Sequence, residues 1–140
     1  MPTITPANAI RESAERLGIN PSDLATAISY ESRFDPNIWG GKGGQHYGII
    51  QFGPEERQRY GVKIGSSFSD QMLAAENYLR DRGVQSGMGL LDIYSAINAG
   101  RPGLYNRSDV ASGGAPGTVA DKVATQMVGH RMRANALLGL

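Results

Sequence analysis

Cysteine is absent from this 140-residue chain, which excludes disulfides, a thiol nucleophile and cysteine-based metal ligation. That absence does not choose a compartment, because exported bacterial and viral proteins often lack cysteine too. An excess of one charge is also missing: 14 basic residues face 13 acidic ones, without a long run of either sign. A nucleic-acid footprint and a polybasic membrane patch are therefore not expected. No apolar run approaches the roughly 20 residues of a membrane span, and the N-terminus carries no signal-peptide pattern. The two histidines, His46 and His130, have no partner at ligand spacing, so neither a zinc site nor any other cofactor is expected. His130 reads as a surface or core-edge residue. Internal repeats, low-complexity tracts and clean strand alternation are lacking as well. A chain of this length is most simply one domain over residues 1–140, or a domain excised from a larger protein.

Glycine is abundant instead, with 19 residues, about twice the usual ~7%. It gathers at Gly40 to Gly48 and at Gly100 to Gly117, two regions of turns and close backbone approach. The first is not a phosphate loop, since Gly40-Gly41-Lys42-Gly43-Gly44 has neither the spacing nor the Lys-Ser/Thr ending. Between such punctuation the chain reads as helices. Thr5-Pro6 and Asn20-Pro21 are cap-plus-proline starts, and the first helix turns Ile10, Ala14 and Leu17 inward before Gly18. Gly48-Ile49-Ile50-Gln51-Phe52 is short and apolar enough for a strand, although five residues do not settle it. Gly53-Pro54 opens a short helix to Tyr60. Ser69 begins a helix with Met72, Ala75 and Leu79 inward, and Leu90, Ile93, Tyr94 and Ile97 mark another ending at Gly100. Arg101 to Gly117 reads as a long surface loop, a length usually kept for function or mobility. Thr118 to Asp121 then caps a last helix carrying Val119, Val123, Met127 and Ala134 on one side. The expected fold is mainly α, with a small β element near residues 40–52.

One residue stands out against this pattern. Helical spacing from Pro21 to Phe34 puts Leu24, Ala27, Ile28, Glu31 and Phe34 on one stripe. A carboxyl on an apolar stripe is costly without a partner or a task. Pro36 disfavours helix at Asp35, so Glu31 lies near the negative end of the helix dipole. Dryness and the dipole both raise its pKa, which suits a general acid near neutral pH. A register error of one residue would return it to water as an ordinary helix glutamate. Asp35, just before proline, suits turn chemistry.

Three segments carry a resemblance. Glu31-Ser32-Arg33-Phe34-Asp35-Pro36 resembles the Glu-Ser-x-Phe-Asn/Asp-Pro signature of the soluble lytic transglycosylases. Gly48-Ile49-Ile50-Gln51-Phe52-Gly53-Pro54 is similar to that family's Gly-Leu-Met-Gln-Ile-x-Pro motif, and Ala96-Ile97-Asn98-Ala99-Gly100 to its Ala-Tyr-Asn-Ala-Gly motif. The likeness runs from about residue 20 to 105. Beyond Gly100, Tyr105-Asn106 and the glycine-rich 113–117 stretch look like phage virion-associated members.

The resemblance implies a lysozyme-like, mainly α fold and cleavage of the β-1,4 bond between N-acetylmuramic acid and N-acetylglucosamine in peptidoglycan. It implies Glu31 as sole catalytic acid and base, with the muramic C6 hydroxyl as nucleophile and a 1,6-anhydro product. By the same resemblance Gln51 lines the cleft and bonds the sugar or its N-acetyl group; the alternative is a loop amide capping the helix after Pro54. Ser32 contacts the sugar or peptide stem, or else satisfies backbone groups at a helix end. Asn98 touches the muramic ring, or simply ends its helix before Gly100. Tyr47, Tyr105 and Trp39 are candidate sugar platforms, and equally candidate loop anchors. The chain departs from the family at Ile97, where a tyrosine hydroxyl normally holds the glutamate. Tyr94, one turn earlier, is the expected substitute, whereas Tyr30 is expected to point away from Glu31. Two other readings stand beside this one: a hydrolytic muramidase, and a non-catalytic glycan-binding or structural module of a virion or secretion machine. The expected partner is the peptidoglycan glycan strand, without nucleic acid or membrane insertion. The expected place of action is the bacterial wall or periplasm, reached as part of a phage particle or a larger assembly.

Overall fold

The computed structural model describes residues 4–140 and shows a mainly helical lysozyme-like fold with one two-stranded element. Helix α1, Pro6–Leu17, starts where Thr5 accepts a hydrogen bond from the Asn8 amide and stops at Gly18, whose left-handed φ of 73° a side chain would resist. Helix α2, Pro21–Ser32, is capped by Asn20. Leu24 through Ser29 are all buried, so α2 is the central helix rather than an amphipathic one. Helices α1, α5 and α7 pack around it. Its small and aliphatic residues, Ala25, Thr26, Ala27, Ile28 and Ser29, let those neighbours approach on every side.

After α2 come β1, Trp39–Gly40, and β2, His46–Tyr47, paired antiparallel with Trp39 opposite Tyr47. The segment 48–51 is a tight turn rather than a strand: Tyr47 and Phe52 exchange backbone hydrogen bonds of 2.9 Å across it. Helix α3 is Pro54–Tyr60. Helix α4, Phe68–Asp81, is capped by Ser67, two residues earlier than the sequence suggests, because Phe68 is itself buried. Helix α5 is Leu90–Ala99. Glu76 of α4 accepts from Ser13 at 2.8 Å and pairs with Arg16 of α1, tying the two helices together.

The end of the chain departs most from expectation. The capping box at Thr118 and Asp121 forms and opens α6, Val119–Asp121. A π-helical turn, Lys122–Gln126, then interrupts the helix before α7, Val128–Leu138. This wider turn brings Lys122 and Met127, five residues apart, both into the interior. Val119 and Met127 form a small second core with Tyr94.

The turn carrying the second motif is locked by Gln71 of α4, which is fully buried. Its Oε1 accepts from the Ile49 amide at 3.0 Å, while its Nε2 donates to the carbonyls of Pro36 at 2.8 Å and Ser66 at 3.0 Å. Gly48, at φ 88°, leaves room for that amide; a Cβ there would sit 2.1 Å from Oε1. Replacing Gln71 by leucine strands one donor and two acceptors, and each buried orphan costs about 1–3 kcal/mol. Urea unfolding should therefore show a loss of about 3 kcal/mol or more.

Candidate active site

A cleft of about 740 Å³ opens at the C-terminal end of α2, and Glu31 lines it. The helix stops there in an unusual way. Arg33 and Phe34 both take left-handed conformations, at φ 53° and 65°, and Gln51 in the facing turn does the same at 58°. These are the three non-glycine residues with positive φ among those described, and all lie in the segments bearing the first two motifs. Left-handed backbone costs about 1–2 kcal/mol at such a residue, so the surrounding contacts hold strain at this place. Asp35 follows and accepts from the Asn37 amide at 2.8 Å, the turn role expected of it.

Part of Glu31 opens to the cleft, yet protein surrounds its carboxyl closely. Burial pushes its pKa up, the nearby Asp109 carboxylate pushes it further, and Lys122 opposes both; the outcome is about 8. Ile97 forms part of the wall, with only 8% of its surface exposed, and helps keep water out. Three carboxylates line the cleft: Glu31, Glu56 and Asp109. Glu56 pairs with Arg82 at 3.5 Å, and Asp109 pairs with Lys122 and accepts from the Asn98 amide at 2.7 Å. Among the described residues Glu31 has no ion pair.

The other expected residues divide into two groups. Gln51, Tyr94 and Asn98 lie on the cleft with Glu31. Both Gln51 side-chain N–H groups are committed, one to the Ile38 carbonyl at 3.2 Å and one to the Gly48 carbonyl at 3.0 Å. Only its Oε1 remains for a ligand, so Gln51 can accept from a sugar hydroxyl or amide but not donate. It does not cap α3. Tyr94 is buried, its ring edge-on to that of Tyr30 with centroids 5.4 Å apart, and among the described residues no hydrogen bond runs from it to Glu31. Burial, then the charge of Glu31, raises the Tyr94 pKa, so the hydroxyl stays neutral beside the carboxyl.

Ser32, Tyr47 and Tyr105 lie elsewhere. Ser32 is 1% exposed, and its hydroxyl faces the carbonyls of Ile28 at 3.0 Å and Ile49 at 2.8 Å, fastening α2 to the second motif. Tyr47 is also 1% exposed; its hydroxyl donates to Asn37 and accepts from the Gly65 amide. Tyr105 bonds Asp92 and borders a separate, smaller depression. The exposed aromatic on the cleft is Trp39, whose ring lies 4.6 Å from that of Tyr47 and carries Arg57 over its face. Tyr30 does not point away: it lines the cleft and donates to Gln126 at 2.7 Å. His130 faces Ser29 at 2.8 Å at the core edge, and His46 faces the Gln51 carbonyl at 2.9 Å.

Among the cleft residues that escaped sequence reasoning are Glu56, Tyr78, Arg82, Asp109, Lys122 and Gln126. Tyr78 sits inside a plainly amphipathic helix, and Asp109 in a loop that reads as solvated. Lys122 looks like a surface lysine until the π-helical turn rotates it inward.

The raised pKa of Glu31 has a stability consequence. An unfolded glutamate titrates near 4.5, so between there and about 8 the folded state holds a proton that the unfolded state has lost. The stability supplied by that proton is complete below 4.5 and disappears as pH rises through 8. Glu31→Gln, neutral throughout, should therefore be more stable than the parent by about 3 kcal/mol at pH 7 and nearly equal to it at pH 4, as read from denaturant midpoints at the two pH values.

Residues 8–109 match the family model described as the transglycosylase SLT domain. No match was found among curated proteins or among solved structures. The matched span runs from within α1 through α5 and ends at Asp109, so Glu31, Gln51 and Asn98 lie inside it while Lys122 and Gln126 lie beyond. A match over most of the chain, ordered motifs around one cleft, and a helical fold of the right kind agree: the chain belongs to the SLT transglycosylase family, whose members cleave the glycan strands of peptidoglycan.

Proposed function

We propose that this protein is a peptidoglycan lytic transglycosylase in which Glu31 is the single acid and base. The observation that carries the reading is the difference among the three cleft carboxylates. Glu56 and Asp109 are paired with cations, whereas Glu31 has no ion pair among the described residues and a pKa of about 8. At neutral pH Glu31 is mostly protonated and has a proton to give.

The proposed course follows from that state. Glu31 protonates the glycosidic oxygen between N-acetylmuramic acid and N-acetylglucosamine, and the C1–O bond breaks. Positive charge develops at C1, where the substrate's own N-acetyl oxygen can share it. Glu31, now a carboxylate, removes the proton of the C6 hydroxyl, and O6 bonds to C1 to close the 1,6-anhydro ring. The proton count returns to its starting point, and no water is consumed. A paired carboxylate is not needed as nucleophile or base, unlike the two-carboxylate glycosidases. Trp39, about half exposed on the cleft, offers apolar ring surface to a sugar, and the Gln51 Oε1 accepts from a hydroxyl or N-acetyl N–H. The place of action in this proposal is the bacterial wall or periplasm, and carriage by a larger virion or secretion assembly is compatible with it.

The product decides between this reading and hydrolysis. Mass spectrometry of muropeptides released from purified peptidoglycan should show 1,6-anhydromuramic ends, one water lighter than reducing ends. Glu31→Gln should reduce release by about a thousandfold while leaving glycan binding intact. Reducing ends would make the protein a muramidase, and release indifferent to Glu31→Gln would remove the enzyme reading. The parent's clearing rate should fall on the alkaline side with a midpoint near pH 8, as Glu31 loses its proton.

A further inference from the structure

Among the residues whose burial is described, Lys122 is the one buried lysine, 1% exposed, and it lies outside the span that matches the family model. A buried ammonium costs several kcal/mol unless paired, and removing its partner is correspondingly damaging. Here the ammonium meets Asp109 Oδ1, and Asp109 Oδ2 accepts from Asn98 of the third motif. All three residues line the cleft that holds Glu31. The segment carrying Lys122 is bound to the preceding loop at further points: Val119 N–H to Arg107 O at 2.9 Å, Ala120 N–H to Tyr105 O at 3.0 Å, and Gln126 Nε2 to Pro116 O at 2.9 Å.

We propose that Lys122 and Asp109 form a charge clamp of the catalytic cleft, docking the 101–117 loop against Asn98 and balancing two opposite charges beside Glu31, so that both are positioning residues for that glutamate. This rests on the reading of Glu31 as the acid. The two members act on Glu31 with opposite sign: Asp109 raises its pKa and Lys122 lowers it. The remaining groups around Glu31 leave the balance to this pair. Tyr94 from α5 and Tyr78 from α4 are held neutral by burial, and the Tyr30 hydroxyl is likewise raised. Glu56 and Arg82 face the cleft as a mutually neutralised pair, and the His46 ring is engaged by the Gln51 carbonyl. A merely structural ion pair would affect folding when broken. A clamp would also move the titration of Glu31, in a direction set by which member is removed.

The test is a titration of the Glu31 carboxyl by carbon NMR on glutamate-labelled protein, with Glu31→Gln identifying the signal. Asp109→Asn leaves Lys122 unopposed and should lower the Glu31 midpoint by about one pH unit. Lys122→Met leaves Asp109 unopposed and should raise it by a similar amount. The double variant should return close to the parent, and the alkaline limb of wall clearing should follow each shift. Lys122→Arg should keep the parent midpoint. Should Lys122→Met not fold, Asp109→Asn, at a partly exposed residue, and Lys122→Arg still carry the comparison. Midpoints that stay at the parent value, or that move in the same direction for both single variants, would overturn the clamp. If midpoints shift as stated but clearing is indifferent to Glu31→Gln, the clamp on Glu31 stands and the proposed catalytic role is what fails.

Discussion

A carboxyl that keeps its proton at neutral pH has to be held where its charged form is poorly solvated, and much of this structure follows from doing so at Glu31. Burial contributes most to its raised pKa. That burial depends on α2 being surrounded by other helices rather than lying on the surface, which in turn demands small and aliphatic residues on nearly all its faces. The helix must then end within two residues of Glu31 for the carboxyl to reach a cleft at all. Left-handed Arg33 and Phe34 achieve that abrupt stop without glycine. Ser32, whose hydroxyl lies between the Ile28 and Ile49 carbonyls, and Gln71, whose amide holds three segments, hold the strained joint in place. Residues that look like ligand contacts in sequence are here the fastenings that let one glutamate stay dry.

Helix starts were legible because their chemistry is local. Thr5-Pro6, Asn20-Pro21 and the Thr118–Asp121 box each satisfy free amides within three residues of themselves, and each forms. Glu31, Gln51 and Asn98 were legible as cleft residues because short motifs keep their side chains near the ends of α2 and α5 and in the turn after β2, and Tyr94 because it lies one turn before Ile97 on the same face of α5. What failed depended on distant partners. Nothing within the sequence near Tyr47 says that its hydroxyl will meet Asn37 and Gly65 in the interior. A 3.6-residue period also cannot anticipate a π-helical turn, so nothing in the sequence marks Lys122 as interior, and Asp109 lies in a stretch that reads only as surface loop. Lys122 needs Asp109, partly exposed itself, to be buried at all.

The distribution of positive charge in the cleft also bears on which nucleophile the site favours. Hydrolysis with inversion requires a second carboxylate free to take a proton from water. Asp109 is poorly suited, since accepting that proton would break its bonds to a buried ammonium and to Asn98, leaving Lys122 charged and without a partner. Glu56 is less firmly held, but it faces Arg82, whose guanidinium is itself stacked 4.2 Å from the Tyr78 ring and donates to the Ala96 carbonyl. Using either as a base would cost a stabilising pair. The C6 hydroxyl of the substrate needs no such help. In the proposed course it arrives tethered to the carbon it attacks, and the proton it must lose goes to Glu31 as carboxylate. Intramolecular attack of this kind gains an effective concentration that free water cannot match. A cleft whose described residues leave one carboxyl unpaired and neutralise two others thus supports the proposed ring closure over hydrolysis through the cost of the alternative, without requiring that water be absent.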